Sequence, residues 1–535
     1  IGGYGGFGAR LARRLAGDGW QVLVGGRNVD KARTFAASLS GGEGVVFDRN
    51  GDSAAQLGPL RADLVIDAAG PFQHSDYRLP RACIALGIPY LDLADGRDFV
   101  CGIGDLDMAA RKAGVTVISG ASSLPALSGA VVRQLAAGID QVSAIDMAIS
   151  ATTRASSGRS VVEAALSYAG QPVRLWRAGE WTRKPGWSLG KRLRFAVLGQ
   201  NSLTRRVALA DVPDLELLPA MVPGQPATTF RGGSEFSVQV TALTALGWLV
   251  RIGLLRDAAR LARWLAPFQQ WTARLGGSRS AMRVDVAGYA GGEPQLRRWT
   301  LVARNGEGQE IPTLAAQLLA RRLREGKLQP GARHAGAELE LEDFEPLLGQ
   351  LACGWASEAP EPSIPYRRVL GLRFADLAAP IRAIHQRLAE TVVHGEGSVE
   401  RGDSLLARLL GLVMGFPPPG NYRITVRFMP NNGRERWTRS FGPHRFSSEM
   451  AVSSRGLLIE RFGPLRFHFA LEVAADGGLR MVLKRWTALG LPLPLALGPT
   501  ITASESADGQ AFRFDVAVAM PLVGPVVHYR GVLRQ

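Results

Sequence analysis

A run of glycines, Gly3-Tyr4-Gly5-Gly6-Phe7-Gly8, constrains this chain more than any other feature. It precedes a helix-like stretch at 9–16 and a β-rich one, Gln21-Val22-Leu23-Val24. Turn, helix and strand in that order form the dinucleotide-binding unit of a doubly wound sheet. The first glycine makes a tight turn, the second lets backbone amides approach a pyrophosphate, and the third lets the helix pack against the sheet. The helix N-terminus adds a partial positive charge. The fold class that follows is an α/β Rossmann-type parallel sheet.

At the end of the second strand such folds usually carry an acid that bonds the ribose 2′-hydroxyl; here the sequence reads Gly25-Gly26-Arg27-Asn28. A guanidinium can grip a 2′-phosphate bidentately, which makes NADP(H) the expected cofactor. Arg27 and Asn28 would meet the phosphate, and Lys31 would add a second positive charge.

Up to about residue 125 short β-rich runs alternate with helical ones, the pattern of a parallel sheet with crossovers. Strands are expected at 21–24, 45–47, 64–68, 90–93 and 115–118. Ligands in such sheets lie beyond the carboxyl ends of the strands. Asp48 is placed there to accept a hydrogen bond from an adenine amino group, or else to serve as an ordinary turn acid. Ala69, Gly70, Pro71 and Phe72 let the backbone run close to the ribose and nicotinamide. Almost nothing precedes the glycine run, so the sequence is expected either to be truncated within its first strand or to have a very short one.

The chain has 535 residues, 46% hydrophobic and 21% charged, which suits a multidomain globular protein. The three cysteines, Cys83, Cys101 and Cys353, form no C-x-x-C pair, so neither a disulfide framework nor a zinc site is expected, and a cytoplasmic setting is. The net charge of +16 is carried almost wholly by arginine, with no dense basic tail and no arginines interleaved with stacking aromatics, and nucleic acid is not an expected partner. The uncharged run between Glu235 and Arg251 is fifteen residues, short of the ~20 a bilayer core needs.

Residues 126–355 mix strands (144–149, 282–289, 299–303) with helices (158–168, 254–266, 313–324) and read as an α+β substrate or oligomerisation domain. The 254–266 helix sets Arg256, Arg260 and Arg263 against an apolar face, with tryptophans nearby. Such a helix either contacts an anionic membrane surface or packs on its own domain. A Pro- and Glu-rich linker is expected at 356–369. From residue 370 a mainly antiparallel β domain follows, about eight strands beyond Tyr422 separated by turns such as Pro430-Asn431-Asn432-Gly433. A curved sheet or barrel of that size often encloses an apolar ligand.

On Gly3–Gly8, Gly25–Arg27, Ala68–Phe72, Tyr90-Leu91-Asp92 and Ser119–Pro125, the first domain resembles the NADP-binding domain of saccharopine dehydrogenase-like proteins. The resemblance covers roughly the first 350 residues, loosely beyond 130. The region from 370, with Gly463-Pro464-Leu465 and Tyr529-Arg530-Gly531, resembles an uncharacterised bacterial domain appended to such modules. The resemblance implies an NADP-dependent oxidoreductase, and the fusion sets the chain apart from plain saccharopine reductases.

Hydride transfer needs a group to supply or remove one proton. His74, just beyond Gly70-Pro71-Phe72, and Tyr90 and Asp92 at a strand end are the candidate catalytic residues, with Tyr77 and Asp95 near by. No Tyr stands four residues before any Lys, which excludes a Tyr-x-x-x-Lys mechanism, and the scattered histidines give no metal site. Two readings stay open. One is an NADP(H)-dependent oxidoreductase acting on a small-molecule carbonyl, imine or enoyl compound, apolar or lipid-linked; a homodimer is a further expectation. The other is a non-catalytic NADP-binding or lipid-binding scaffold.

Overall fold

The computed structural model describes residues 1–152, 165–255, 258, 276–431 and 433–534. The expected helices at 158–168 and 254–266 lie largely outside the described residues, and with the second goes the expected membrane contact. The chain divides into two units, Ile1–Ala290 with Leu296–Pro360, and Glu361–Gln535 with Gly291–Gln295.

In the first unit, strands Leu23–Gly26 and Glu43–Val46 pair in parallel, as do Val65–Asp67, Tyr90–Asp92, Thr116–Ser119 and Gly331–His334 in succession. Residues Ile1–Gly3 join the two groups: Gly2 N–H donates to the Gly25 carbonyl at 2.9 Å, and Ala68 N–H donates to that of Ile1 at 2.9 Å. The resulting order is that of a doubly wound dinucleotide-binding sheet. Leu91, Val117 and Ile118 are fully buried, as central parallel strands covered on both faces require. The strand Gly331–His334 returns from far downstream, so the sheet is completed by residues outside 1–125.

A second, mixed sheet of seven strands runs in the order Cys353–Glu358, Glu293–Ala303, Ser280–Ala290, Gln141–Ala151, Ala227–Ser234, Leu203–Leu209, Lys191–Phe195. Leu11 and Ile118 of the first sheet region share one core with Met147, Trp299 and Leu314. Helix Ile311–Arg324 packs on helix Gly6–Gly17. Arg14 Nε lies 3.0 Å from Glu310 Oε2, and Arg321 Nε lies 2.5 Å from Asp18 Oδ2.

The second unit is a closed antiparallel barrel. Its strands meander from Thr391–Arg401 round to Gly524–Arg534, and the ring shuts where Leu465–Val473 pairs with Leu479–Ala488 and where Thr391–Arg401 pairs with Gly524–Arg534. Ile424, Val426 and Phe428 are buried while Arg423, Thr425 and Arg427 take the other face, the inverse of a lipid-facing barrel. Two strands beyond the expected eight complete the ring, Thr391–Arg401 and Thr500–Asp508. The first contains Gly395 and Gly397, which sequence reasoning treats as strand-weakening. Here a Cβ at Gly395 would lie 1.9 Å from the Val532 carbonyl oxygen, and one at Gly397 2.3 Å from that of Arg530. The glycines let two strands approach closely. No helix among the described residues is long and apolar enough to cross a membrane.

Helix Gly6–Gly17 is seated by the same device, since a Cβ at Gly8 would fall 2.2 Å from the Gly2 carbonyl oxygen and 3.0 Å from Gly3 Cα. Gly8→Ala is therefore expected to push the helix off the sheet and destabilise the first unit by roughly 1–3 kcal/mol. Calorimetry should show its unfolding several degrees lower; an unchanged transition would contradict this packing.

Candidate functional site

The site grows from the carboxyl edge of the parallel sheet. Helix Gly6–Gly17 starts at Gly5 with no side-chain cap and no acidic residue in its first turn. The amides of Gly6, Phe7 and Gly8 are left to an outside acceptor, and an anion is what such a helix start accommodates. Tyr4 covers the next strand: a Cβ at Gly26 would meet its ring at 2.2 Å, and its hydroxyl accepts from Asn28 N–H at 3.3 Å. The Asn28 side chain caps helix Val29–Ala36 by accepting from Lys31 N–H at 2.9 Å. Arg27 is exposed and makes no hydrogen bond or ion pair with any described residue. Lys31 is exposed beside it.

Asp48 is half-buried; its Oδ1 accepts from Asn50 N–H at 3.0 Å, while Gln56 brackets its backbone. Ala69 lies against Gly2, whose Cβ position would be 3.0 Å from Ala69 N. Gly70 and Pro71 are exposed along this edge, and Phe72 is buried against Phe99. The fold thus brings the glycine run, 26–31 and 69–72 to one edge of the sheet.

Arg49, which sequence reasoning missed, holds the 67–75 loop. Its Nε lies 2.7 Å from Asp67 Oδ2, Nη1 donates to the Ala69 carbonyl at 3.1 Å and to Ser75 Oγ at 2.9 Å, and its guanidinium covers the Phe72 ring at 4.5 Å.

The candidate proton-handling groups separate. His74 is exposed on the loop beyond Phe72. Tyr90 needs correcting as a catalytic residue: its side chain is fully buried among Phe47, Val65 and Val117, and burial followed by the Asp92 charge pushes its phenol well above the ordinary range. Asp92 is held by the protein's own donors. It is fully buried and accepts from Gly120 N–H at 2.7 Å, Ala94 N–H at 2.9 Å and Ser119 Oγ at 3.0 Å. It fixes the loops that follow two strands. Burial raises its carboxyl to about 6 in spite of these donors.

Around Asp95, which the sequence offered as a nearby acid, stand residues that it did not single out. Gln73 Nε2 donates to Asp95 Oδ1 at 3.2 Å. Tyr168 stacks on Trp187, and burial, then the nearby Asp95 and Asp211 carboxylates, holds its phenol protonated. Arg97, buried, reaches Asp211 and Glu216 at 3.0 Å each, and the Arg174 carbonyl at 2.9 Å, beneath the Trp181 ring. The one sequence signal for Arg97 was a cation at a helix start, directly after Gly96, where it needs carboxylate partners.

Two family models match the chain, one within each unit. Residues 1–118 match the family described as saccharopine dehydrogenase NADP binding domain, and residues 377–533 match a domain of unknown function, DUF4166. The chain is a fusion of these two modules. No curated protein matches it. Among solved structures it is similar to apo histidine-tagged saccharopine dehydrogenase (L-Glu forming) from Saccharomyces cerevisiae, at 12% identity and a TM-score of 0.45 over 66% of this chain and 98% of that one. It is also similar to GenD2 from gentamicin A biosynthesis in complex with NAD, at 13% identity and a TM-score of 0.30 over 67% and 95% of the chains. A third is Rv2717c from M. tuberculosis, at 13% identity and a TM-score of 0.19 over 30% of this fusion and 98% of that chain.

Within the fusion's first unit, the 211–216 segment that grips Arg97 is anchored by Asp214. This residue is fully buried, accepts a hydrogen bond from Ser128 Oγ, and is raised by burial from 3.8 to about 7. The native state binds its proton more tightly than the unfolded chain does, so its ionisation costs native stability progressively as pH rises from about 4 to about 7, by up to about 4 kcal/mol. Asp214→Asn should therefore gain on the unaltered protein across that window when melting temperatures are compared. A difference that stays flat with pH would contradict this.

Proposed function

We propose that this protein is an NADP(H)-dependent oxidoreductase acting on a carbonyl, imine or enoyl compound, apolar or lipid-linked. The observation that carries the reading is the pairing of an uncapped helix start at Gly6–Gly8 with an exposed, unpaired Arg27 at the end of the adjoining strand. The match of residues 1–118 to an NADP binding domain supports it.

In this reading the amides of Gly6, Phe7 and Gly8 and the backbone of Gly3–Gly5 receive the pyrophosphate. Arg27 and Lys31 take the 2′-phosphate, with Asn28 holding their loop. Asp48 turns its free carboxylate oxygen toward the adenine amino group. Ala69–Phe72, clamped by Arg49, borders the ribose and nicotinamide. The cofactor supplies hydride transfer; the protein's own contribution is to orient it, exclude water and handle one proton. His74, exposed beyond Phe72, is the group suited to that proton. The three cysteines are unpaired, which fits the cytoplasmic setting; a homodimer belongs to the same reading and is checked by sedimentation.

Arg27→Ala should weaken NADPH binding roughly tenfold to a hundredfold, the loss of one charge-assisted phosphate contact, while leaving NADH binding unchanged. Quenching of tryptophan fluorescence by each nucleotide measures both. Equal affinity of the unaltered protein for NADPH and NADH, or no loss on substitution, would overturn the assignment. NADPH that binds but is never consumed across amino-acid, imine and enoyl-lipid substrates would favour the scaffold.

A further inference from the structure

The barrel encloses a cavity of about 280 Å³. That is near the lower end of small-molecule pockets, roughly 300–1,000 Å³, and leaves room for one chain rather than two. Most of its wall is apolar, built from side chains such as Phe462, Phe467 and Met481.

Its polar groups are few and specific. Arg439 Nη2 lies 3.4 Å from Glu460 Oε1, and its Nη1 donates to Ser448 Oγ at 2.8 Å. Glu505 is held by His385 at 2.5 Å, and His385 stacks on Tyr366 from the segment preceding the first barrel strand. Arg439, Glu460 and Glu505 line the cavity together with the Tyr366 and Tyr529 side chains. Both tyrosines are more than nine-tenths buried, and neither hydroxyl has a hydrogen-bond partner among the described residues. The charged lining is one guanidinium against two carboxylates. A pure hydrocarbon would leave the two tyrosine hydroxyls without partners, which is costly in a dry site, and an anionic head would have to compete with Glu460 for Arg439.

The barrel's two ends differ. Its antiparallel meander puts the connections at 405–413, 489–497 and 521–523 on the same end. Leu410 and Met414 face into the cavity there, as do Trp486 and Pro499. The same connections leave Leu405, Leu412, Leu489, Leu491 and Leu522 more than two-thirds exposed. An apolar cavity with a leucine rim offers a hydrocarbon chain a path in.

From the cavity, its buried polar groups and the leucine rim, we infer that the barrel binds a single-chain amphiphile whose non-anionic, hydrogen-bond-donating head, a hydroxyl, amide or amine, seats against Glu460, Glu505 and the two tyrosines. The tail runs toward the leucine-rimmed end. This goes beyond the oxidoreductase reading and stands or falls without it, because the site is built entirely within the barrel and its test uses no nucleotide.

The test uses the full chain at pH 7.5 with the uncharged dye N-phenyl-1-naphthylamine, whose emission rises in an apolar site. Dodecan-1-ol, dodecylamine and dodecanoate then compete, the alcohol below its solubility limit and the other two below their micelle concentrations. The alcohol and the amine should displace the dye at concentrations at least tenfold lower than dodecanoate. Glu460→Gln should shrink that difference at least threefold. Hydrogen–deuterium exchange on the unaltered protein should show dodecan-1-ol protecting strands Leu465–Val473 and Thr500–Asp508. Absence of dye enhancement, dodecanoate competing as well as the alcohol, an unchanged difference in a folded Glu460→Gln variant, or protection confined to the first unit would overturn the proposal.

Discussion

Helix Gly6–Gly17 can lie on its sheet only because Gly8 has no Cβ, the Gly2 carbonyl occupying the space one would need. That close approach carries the first turn of the helix to the carboxyl edge of the strands, where the amides of Gly6–Gly8 have no capping side chain. The Tyr4 ring sits over Gly26 and Gly2 lies against Ala69, so both flanking strand ends are held at fixed distance from those amides. Moving the helix outward would disperse the whole cradle.

The far side of the same helix is held by charge. Arg10 and Arg14 meet Glu310, and Asp18 meets Arg321, tying it to helix Ile311–Arg324 in half-buried pairs. Half-burial matters, since fully exposed pairs contribute little. Arg49 performs a similar task at the 67–75 loop, and Arg97 links the end of strand Tyr90–Asp92 to the Asp211–Glu216 segment. The edge of the sheet is framed by Arg49 and Arg97 with their carboxylates, and Arg27 has none among the described residues.

The nucleotide-side geometry was legible in the sequence because it depends on local features: glycine spacing, a strand that follows, and a basic residue where an acid is usual. The Tyr90 side chain misled because a strand end looks the same whether its side chain points at a ligand or into the core. Arg97, Tyr168 and Asp211 meet only through the fold of residues far apart in the chain, a relation no local pattern records. The same holds for strand Gly331–His334, whose Gly-Ala-Arg-His carries no β-branched residue and becomes a strand by pairing with Thr116–Ser119. In the barrel, alternation revealed most strands, while Gly395 and Gly397 hid one, since their value lies in the close approach of its neighbour Gly524–Arg534.

The account rests on where the two phosphate groups of a bound cofactor lie. A crystal structure of the protein with NADP⁺ tests this most directly. The pyrophosphate should accept hydrogen bonds from the amides of Gly6–Gly8, with the 2′-phosphate within hydrogen-bond reach of the Arg27 guanidinium. A pyrophosphate bound away from that helix start, or a 2′-phosphate turned to solvent with Arg27 unengaged, would contradict it.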